Sequence, residues 1–232
     1  MNVRQLLSPV MAACALSGAS MSSHAAVLLN EGFNSLAALP GAGWVFKNNS
    51  QPLGATDWFQ GNTAVFPAAD GPADSYAAAN FNNAGSPAGR ISNWMITPQI
   101  ALDGTPTLDF ALRLFGSDFL DTVEVYLSTA GSSSDVGTTS TSTGDFTLLQ
   151  AFSNAGPDSG WINESITLAA FASGTMGRLA FRYFVDNTDV DGNYVGIDSV
   201  NVSTRDATVP EPTPAALLAL ALVGMAALRR RR

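Results

Sequence analysis

The sequence has one cysteine and one histidine among 232 residues, and both lie near the N-terminus. Cys14 and His24 fall within an apolar leading segment, so the rest of the chain has neither a thiol nor an imidazole. Their absence excludes Ser-His-Asp and Cys-His catalytic triads from that part of the chain. It equally excludes zinc sites with thiolate or imidazole ligands and a framework of disulfide bonds.

Positive charge is also scarce in the main part of the chain. Five of the eleven basic residues lie at the two ends, namely Arg4 and the last four residues. Residues 26–208 retain six basic and eighteen acidic side chains, a net charge of −12. Because such a domain repels the phosphate backbone, nucleic acid is not an expected partner. The length of this segment predicts one domain that buries about 70% of the surface of its unfolded chain.

The N-terminus has the parts of a secretory signal peptide. Arg4 precedes an apolar run over residues 6–16, and small residues follow as far as Ser23-His24-Ala25. The small side chains at positions 23 and 25 predict cleavage by signal peptidase before Ala26, so residues 1–25 are interpreted as an export signal. The alternative takes Cys14 as a lipoprotein acylation site, but the apolar stretch before it is very short.

The C-terminus, residues 209–232, combines a short motif, an uncharged stretch and a basic cluster. The motif is Pro210-Glu211-Pro212, the uncharged stretch covers residues 215–228, and the cluster is Arg229, Arg230, Arg231 and Arg232. As a helix, residues 213–228 would extend about 24 Å at ~1.5 Å per residue, against a hydrocarbon core of about 30 Å. Snorkelling arginines can cover part of the difference. We therefore predict a transmembrane helix with its arginines in the cytoplasm and the acidic domain outside; the alternative is a buried core helix.

In this order, the three features resemble the PEP-CTERM sorting signal of Gram-negative bacteria. The resemblance covers about 24 residues at the end of the chain. It implies cleavage near the Pro-Glu-Pro motif by an exosortase and delivery to the cell surface or the exopolysaccharide matrix. By that resemblance, the helix anchors the protein in the inner membrane only temporarily.

Between the two ends, the pattern of hydrophobic residues predicts an all-β domain. Apolar residues alternate with polar or small ones over residues 108–114, 123–127 and 179–185, and Gly, Pro, Asn, Asp and Ser separate the runs. Together with other predicted strands, given at the end of this paragraph, these three are enough for the two sheets of a jelly-roll β-sandwich. The segment 128–144, rich in Ser, Thr and Gly, is predicted to be a flexible loop. The further strands are expected at 27–33, 43–47, 63–66, 75–81, 93–100, 146–152, 161–168 and 193–202.

Several segments resemble the choice-of-anchor J domain, a family related to the cleaved-adhesin and MAM-type jelly rolls. The resemblance runs in order through residues 26–208 and implies a surface or adhesive module in which no catalysis is established. The matching segments are Leu28–Phe33, Gly43-Trp44, Asn93–Pro98, Leu108–Phe110, Val123–Ser128, Phe146–Leu149, Leu179–Tyr183 and Ile197–Val200.

Two carboxylates occupy unexpected positions in the predicted strands. Glu31 shares its alternation with Leu29 and Phe33, and Asp198 shares its alternation with Val200, so regular pleating would turn both toward the apolar layer. A buried carboxylate is costly unless it is paired or bound to a metal. Calcium prefers such oxygen ligands, so a structural calcium ion is predicted at Glu31 and Asp198. The alternative is a β-bulge or a hydrogen bond from an arginine or a backbone N–H group.

A second pattern also points to calcium. Asn187, Asp189, Asp191 and Asp198 have the spacing of ligands in an EF-hand loop, with Gly192 at the sharp turn. Asparagine replaces the usual first aspartate, aspartate replaces the last glutamate, and strands instead of helices flank the loop. The segment is interpreted as an analogue of a calcium loop or as a plain turn rich in Asp, Asn and Gly.

The remaining chemistry favours binding over catalysis. A glycosidase with two carboxylates is the enzymatic alternative, but the predicted domain has only Glu31, Glu124 and Glu164 as glutamates, and they are not clustered. We therefore expect a non-catalytic module that binds a glycan or another surface protein, or else a structural matrix protein without a discrete ligand. Trp58, beside Asp57 in a Gly-rich region, is the tryptophan expected to stack on a sugar ring.

Overall fold

Two antiparallel β-sheets contain almost all of the regular structure. They come from a computed structural model that describes residues 25–205 except 87, 117, 155–157 and 159. The predicted signal peptide, apart from Ala25 at the start of β1, and the predicted sorting signal lie outside the described residues. Short 3-10 helices occur at Leu36–Ala42 and Phe81–Asn83. The strands are β1 Ala25–Glu31, β2 Val45–Asn48, β3 Phe59–Gln60, β4 Ala77–Asn80, β5 Ile91–Ile96, β6 Ile100–Ala101, β7 Pro106–Phe115, β8 Thr122–Ser128, β9 Thr147–Ser153, β10 Ile162–Thr167, β11 Met176–Val185 and β12 Tyr194–Arg205.

The sheets are stacked as a jelly-roll sandwich, as the sequence predicts. The first sheet has the order β10-β7-β12-β4-β3, and β1 pairs with the second half of β12. The second has the order β2-β5-β11-β8-β9, with β6 paired to the start of β11. Strands distant in sequence, such as β4, β7 and β12, are therefore neighbours in space.

The predicted alternation is confirmed in the central strands. Leu108, Phe110 and Leu112 of β7 point inward against Leu179 and Phe181 of β11, and all five side chains are buried in the layer between the sheets. Each Å² of buried apolar surface contributes about 25 cal/mol to the free energy of folding, so this layer is the main source of stability.

One predicted strand, at residues 63–66, is a turn. The Asn62 side chain accepts a hydrogen bond from the Ala64 N–H group (3.0 Å), and the Asn62 carbonyl accepts from the Val65 and Phe66 N–H groups. These local bonds close the chain into a turn, because an asparagine side chain can replace a backbone partner there. The short strand β3 lies just before it.

Both sheets are covered on their outer faces, which the sequence does not predict. Residues 61–76, named here the first cover, lie across the first sheet through the buried rings of Phe66 and Tyr76. Residues 129–146, the second cover, lie across the second sheet through the buried side chains of Val136 and Phe146. Outward-facing residues of the strands are therefore buried as well.

The second cover includes the segment predicted to be a flexible loop; as predicted, it contains no helix or strand after Ser128, but it is packed against the sheet. Val136 is fully buried beside Trp94. Basic side chains hold the surrounding backbone: Lys47 Nζ donates to the Ser134 carbonyl at 2.7 Å, and the Arg182 guanidinium donates to the Ser140 carbonyl. The segment has a composition typical of loops, but the buried Val136 and the hydrogen bonds from Lys47 and Arg182 hold it on the sheet.

No helix among the described residues is long and apolar enough to cross a membrane. The predicted transmembrane segment, residues 213–228, lies beyond that part of the chain.

Candidate ligand-binding site

A pocket lies at one end of the outer face of the first sheet. Its floor is one row of three residues in direct register: Phe115 of β7 is paired with Tyr194 of β12, which is paired with Asn80 of β4. Directly paired residues of antiparallel strands project on the same face, so the three side chains lie side by side. The next row contains Gly196 and Ala78, which are small.

The walls come from four other segments. Asn62 and Val65 belong to the first cover, Phe59 belongs to the edge strand β3, and Phe81 and Asn193 come from the connections that precede or follow strands. The resulting cavity has a volume of about 290 Å³, close to the lower end of the range for small-molecule sites. We call it the aromatic–amide pocket, and it is lined by Phe59, Asn62, Val65, Asn80, Phe81, Phe115, Asn193 and Tyr194.

A network of hydroxyl groups joins the floor to the first cover. The Tyr76 and Tyr194 hydroxyls are 3.1 Å apart, and the Asn62 N–H group donates to both, at 2.9 and 3.1 Å. Burial raises the pKa of Tyr194 above its ordinary value, and the Tyr76 hydroxyl adds to that rise. The Tyr194 hydroxyl therefore stays neutral at physiological pH.

Packed rings fix the first cover in place. The Phe66 ring stacks on Tyr76 at 5.0 Å and meets Tyr194 edge-on at 5.2 Å. Trp161 contacts the Phe66 ring edge-on at 5.4 Å, and its indole N–H donates to the Pro67 carbonyl at 2.8 Å. Such aromatic pairs contribute about 0.5–1.5 kcal/mol each beyond their buried area, so the wall formed by the cover is preorganised.

A buried carboxylate, Asp121, supports the pocket from behind. It accepts hydrogen bonds from the Asn193 N–H group at 2.8 Å, the Tyr194 N–H group at 3.3 Å and the Tyr183 hydroxyl at 2.6 Å. Burial is the main cause that raises the pKa of Asp121, and the hydrogen bonds oppose the rise. Asp121 thus positions two pocket residues through their backbone.

Several groups of the pocket are free to contact a ligand. The Phe81 side chain is 50% exposed. Within the described part of the chain, the amide nitrogens of Asn62, Asn80 and Asn193 donate to no other residue, whereas the side-chain oxygens of Asn62 and Asn80 accept from the backbone. Apolar ring faces beside amide donors suit a ligand that has both C–H faces and hydroxyl groups.

Trp58 is not an exposed platform, and this prediction is corrected by the structure. Its side chain is 6% exposed within the central core, and its indole N–H donates to the Asn93 carbonyl at 3.2 Å. Trp58 also contributes to the lining of a second surface cavity, beside Leu36 and Phe46. The next residue, Phe59, projects on the opposite face of β3 into the aromatic–amide pocket, because side chains alternate along a strand.

Asp198 does not point toward the core. A bulge between Asp198 and Asn201, with Ser199 at φ 52°, shifts the alternation by one residue. Val200 therefore faces the core, while the Asp198 carboxylate faces the first cover and accepts from the Ala69, Asp70 and Ser199 N–H groups at 2.9, 3.1 and 2.6 Å. Burial, as the largest cause, raises the pKa of Asp198.

Glu31 is partly buried at the end of β1. Its carboxylate accepts from the Phe33 N–H group at 2.7 Å. A register shift between Val27 and Leu29 changes the alternation of this strand, and Val27 is 63% exposed. Glu31 is paired with Val200, which follows Asp198 on β12 across the bulge. For both carboxylates, the structure shows the backbone bonds and bulges of the alternative interpretation.

The loop at Asn187, Asp189 and Asp191 is a turn in which the side chains have separate partners. The Asn187 side chain accepts from the Asp189 N–H group at 3.0 Å, and the Asp191 carboxylate accepts from the Leu120 N–H group at 3.0 Å. Asp198 bonds to the first cover instead. Among the described residues, no group of three or more Asp, Glu, His or Cys side chains is arranged to hold a metal ion. Calcium binding stays a prediction.

The residues of the predicted sorting signal lie outside the described part of the chain. These are Pro210, Glu211, Pro212, Arg229, Arg230, Arg231 and Arg232.

Comparison with solved structures identifies the architecture as an adhesin-like β-sandwich. The K1 cleaved adhesin domain of Lys-gingipain from Porphyromonas gingivalis has a TM-score of 0.55 at 20% identity, over 77% of this chain and 98% of that domain. The K3 domain of the same protein has a TM-score of 0.51 at 18% identity, over 78% and 99%. For the K2 domain the values are 0.52 and 17%, over 76% and 99%. At these identities the likeness establishes the fold alone.

The sequence comparisons find no relative. No family model matches the chain, and no curated protein matches it significantly.

Proposed function

We propose that this protein is an exported, non-catalytic binding module of the cell surface or the extracellular matrix, and that its ligand is a glycan. The observation that carries the proposal is the aromatic–amide pocket, where Phe81 is half exposed and three asparagine amide nitrogens donate to no residue that the structure describes. Sugar-binding sites need apolar faces beside a few placed polar groups, and this pocket has both. A structural matrix protein without a discrete ligand is the alternative.

The ends of the chain support the proposed location. The signal peptide of residues 1–25 would direct export, and the PEP-CTERM-like segment of residues 209–232 would hold the protein in the inner membrane until an exosortase-type enzyme cleaves it. A mass measurement on protein from the native envelope tests this proposal. We expect a chain that begins at Ala26 and lacks the arginine cluster, and an intact chain would contradict it.

Glycan binding is tested on an array of polysaccharides with the full chain in mild detergent. We expect saturable binding that Phe81→Ala weakens at least fivefold, since this half-exposed ring is a wall of the pocket. Leu148→Ala is a matched control, because Leu148 is 48% exposed on β9 of the other sheet. Absence of binding to every polysaccharide would favour the structural matrix protein.

A structural calcium ion at Glu31 and Asp198 is a separate part of the proposal. Glu31 of β1 is paired with Val200, which follows Asp198 on β12 across the bulge, where the first cover crosses that strand. Carboxylate and backbone oxygens would be its ligands.

A further inference from the structure

We propose that the aromatic–amide pocket selects neutral sugar residues and rejects uronic acids and other anionic sugars, an inference that rests on the proposed glycan-binding function. It is carried by the charges in and around the pocket. These differ from what a site for acidic polysaccharides requires.

Among the residues that the structure describes, no cationic side chain lines the pocket. Its polar groups are three asparagine amides and the Tyr194 hydroxyl, which is buried against Tyr76. An amide can donate to a carboxylate but does not neutralise its charge, and a partly desolvated anion without a counter-charge is costly. Sites for carboxylates and phosphates therefore usually contain arginine or lysine.

Arg113, a cation on the same sheet face, already has partners. Arg113 is paired with Gly196 in the row next to the floor, so it projects from the same face. Its guanidinium forms an ion pair with Asp158 at 2.5 Å and lies 4.3 Å from the centre of the Phe66 ring. Arg113 would have to break both contacts to reach an anionic ligand.

Negative charge stands behind the pocket instead. The buried Asp121 carboxylate bonds to the backbone of Asn193 and Tyr194, which are both pocket residues. The Asp191 carboxylate bonds to the N–H group of Leu120, the residue before Asp121. Charges within a Debye length of about 8–10 Å interact without full screening, and burial weakens the screening further. A uronate in the pocket would meet repulsion, and Arg113, the cation in the row next to the floor, is already paired with Asp158.

A neutral sugar meets none of these costs. Its C–H face can lie on the exposed Phe81 ring, while its hydroxyl groups accept from the free amides of Asn62, Asn80 and Asn193. Asn193 has the further advantage that its side-chain oxygen accepts no hydrogen bond from another described residue, so it can accept from a sugar hydroxyl.

The test compares neutral and acidic polymers in affinity gel electrophoresis of the full chain in mild detergent. The neutral probes are β-glucan, galactan, mannan and xylan, and the acidic probes are alginate and polygalacturonate. We expect retardation by at least one neutral polymer and at least tenfold weaker retardation by both polyuronates. Phe81→Ala and the isosteric Asn193→Asp should each weaken neutral binding at least fivefold, while Leu148→Ala leaves it unchanged. Thermal melting of each variant verifies that the fold is retained.

The outcomes separate this inference from the function on which it rests. Retardation by polyuronates at least equal to that by neutral polymers would overturn the selectivity but leave glycan binding intact. Neutral binding that Phe81→Ala and Asn193→Asp leave unchanged would also overturn the inference, since the sugar would then bind elsewhere. Failure of all six polymers to retard the protein would overturn both the inference and the proposed function.

Discussion

Replacement of Trp58 tests the assignment of its ring to the core most directly. The side chain is 6% exposed and packs in the layer between the sheets. Truncation of such a ring to alanine costs about 3–5 kcal/mol, and the buried Asn93 carbonyl also loses its donor, which costs about 1 kcal/mol more. Because the free energy of unfolding of a domain is about 5–15 kcal/mol, Trp58→Ala should remove a large part of it.

Urea unfolding followed by circular dichroism measures this loss. Trp58→Phe should cost only about 1–2 kcal/mol, because it keeps most of the apolar contact and loses mainly the N–H group. Phe59→Ala is the informative neighbour: it should weaken glycan binding with a smaller loss of stability, since Phe59 is half-buried at the pocket wall. The reasoning would be refuted if Trp58→Ala abolished glycan binding while its unfolding free energy changed by less than about 0.5 kcal/mol.

Three further predictions concern the second cover, the buried carboxylate behind the pocket and calcium. Val136→Ala should cost about 1–3 kcal/mol and speed proteolysis within residues 129–145, whereas Thr138→Ala, at an exposed position of the same segment, should do neither. Burial raises the folded-state pKa of Asp121 above its unfolded value, so the ionised carboxylate lowers the stability of the fold above that raised pKa. Protonation removes this loss of stability as the pH falls toward 3.8. The stability of the wild type minus that of Asp121→Asn should therefore increase between pH 7 and pH 4, and a difference independent of pH would contradict the assignment. Calcium should raise the melting temperature of the wild type but not of the double variant Glu31→Gln, Asp198→Asn. Equal melting temperatures of the wild type with calcium and with chelator would contradict the proposed calcium site.

The central strands were predictable because their side chains follow a strict alternation. Leu108, Phe110 and Leu112 had to share one face whatever the order of the strands, and two sheets are the simplest way to bury several such faces. The same rule failed in β12. The bulge after Asp198 inserts one extra residue into the alternation, and the run Asp198-Ser199-Val200 contains no residue type that predicts it.

The second cover shows the limit of composition as a guide. A segment rich in Ser, Thr and Gly has few groups that could pack, so a flexible loop was the natural prediction. Val136 at its centre holds the segment on the sheet, because it packs against Trp94 on the outer face of the second sheet. Lys47 and Arg182, distant in sequence, then satisfy carbonyl groups of the segment.

From the sequence alone come the all-β class, the inward faces of the central strands and the acidic domain without thiol or imidazole, because each depends only on residue types and their local spacing. The binding site required the tertiary structure. Phe115, Tyr194 and Asn80 form one row only because β7, β12 and β4 are neighbours in the first sheet. Pairing between strands so far apart in the chain is set by the packing of the whole sandwich, and local spacing carries no information about it.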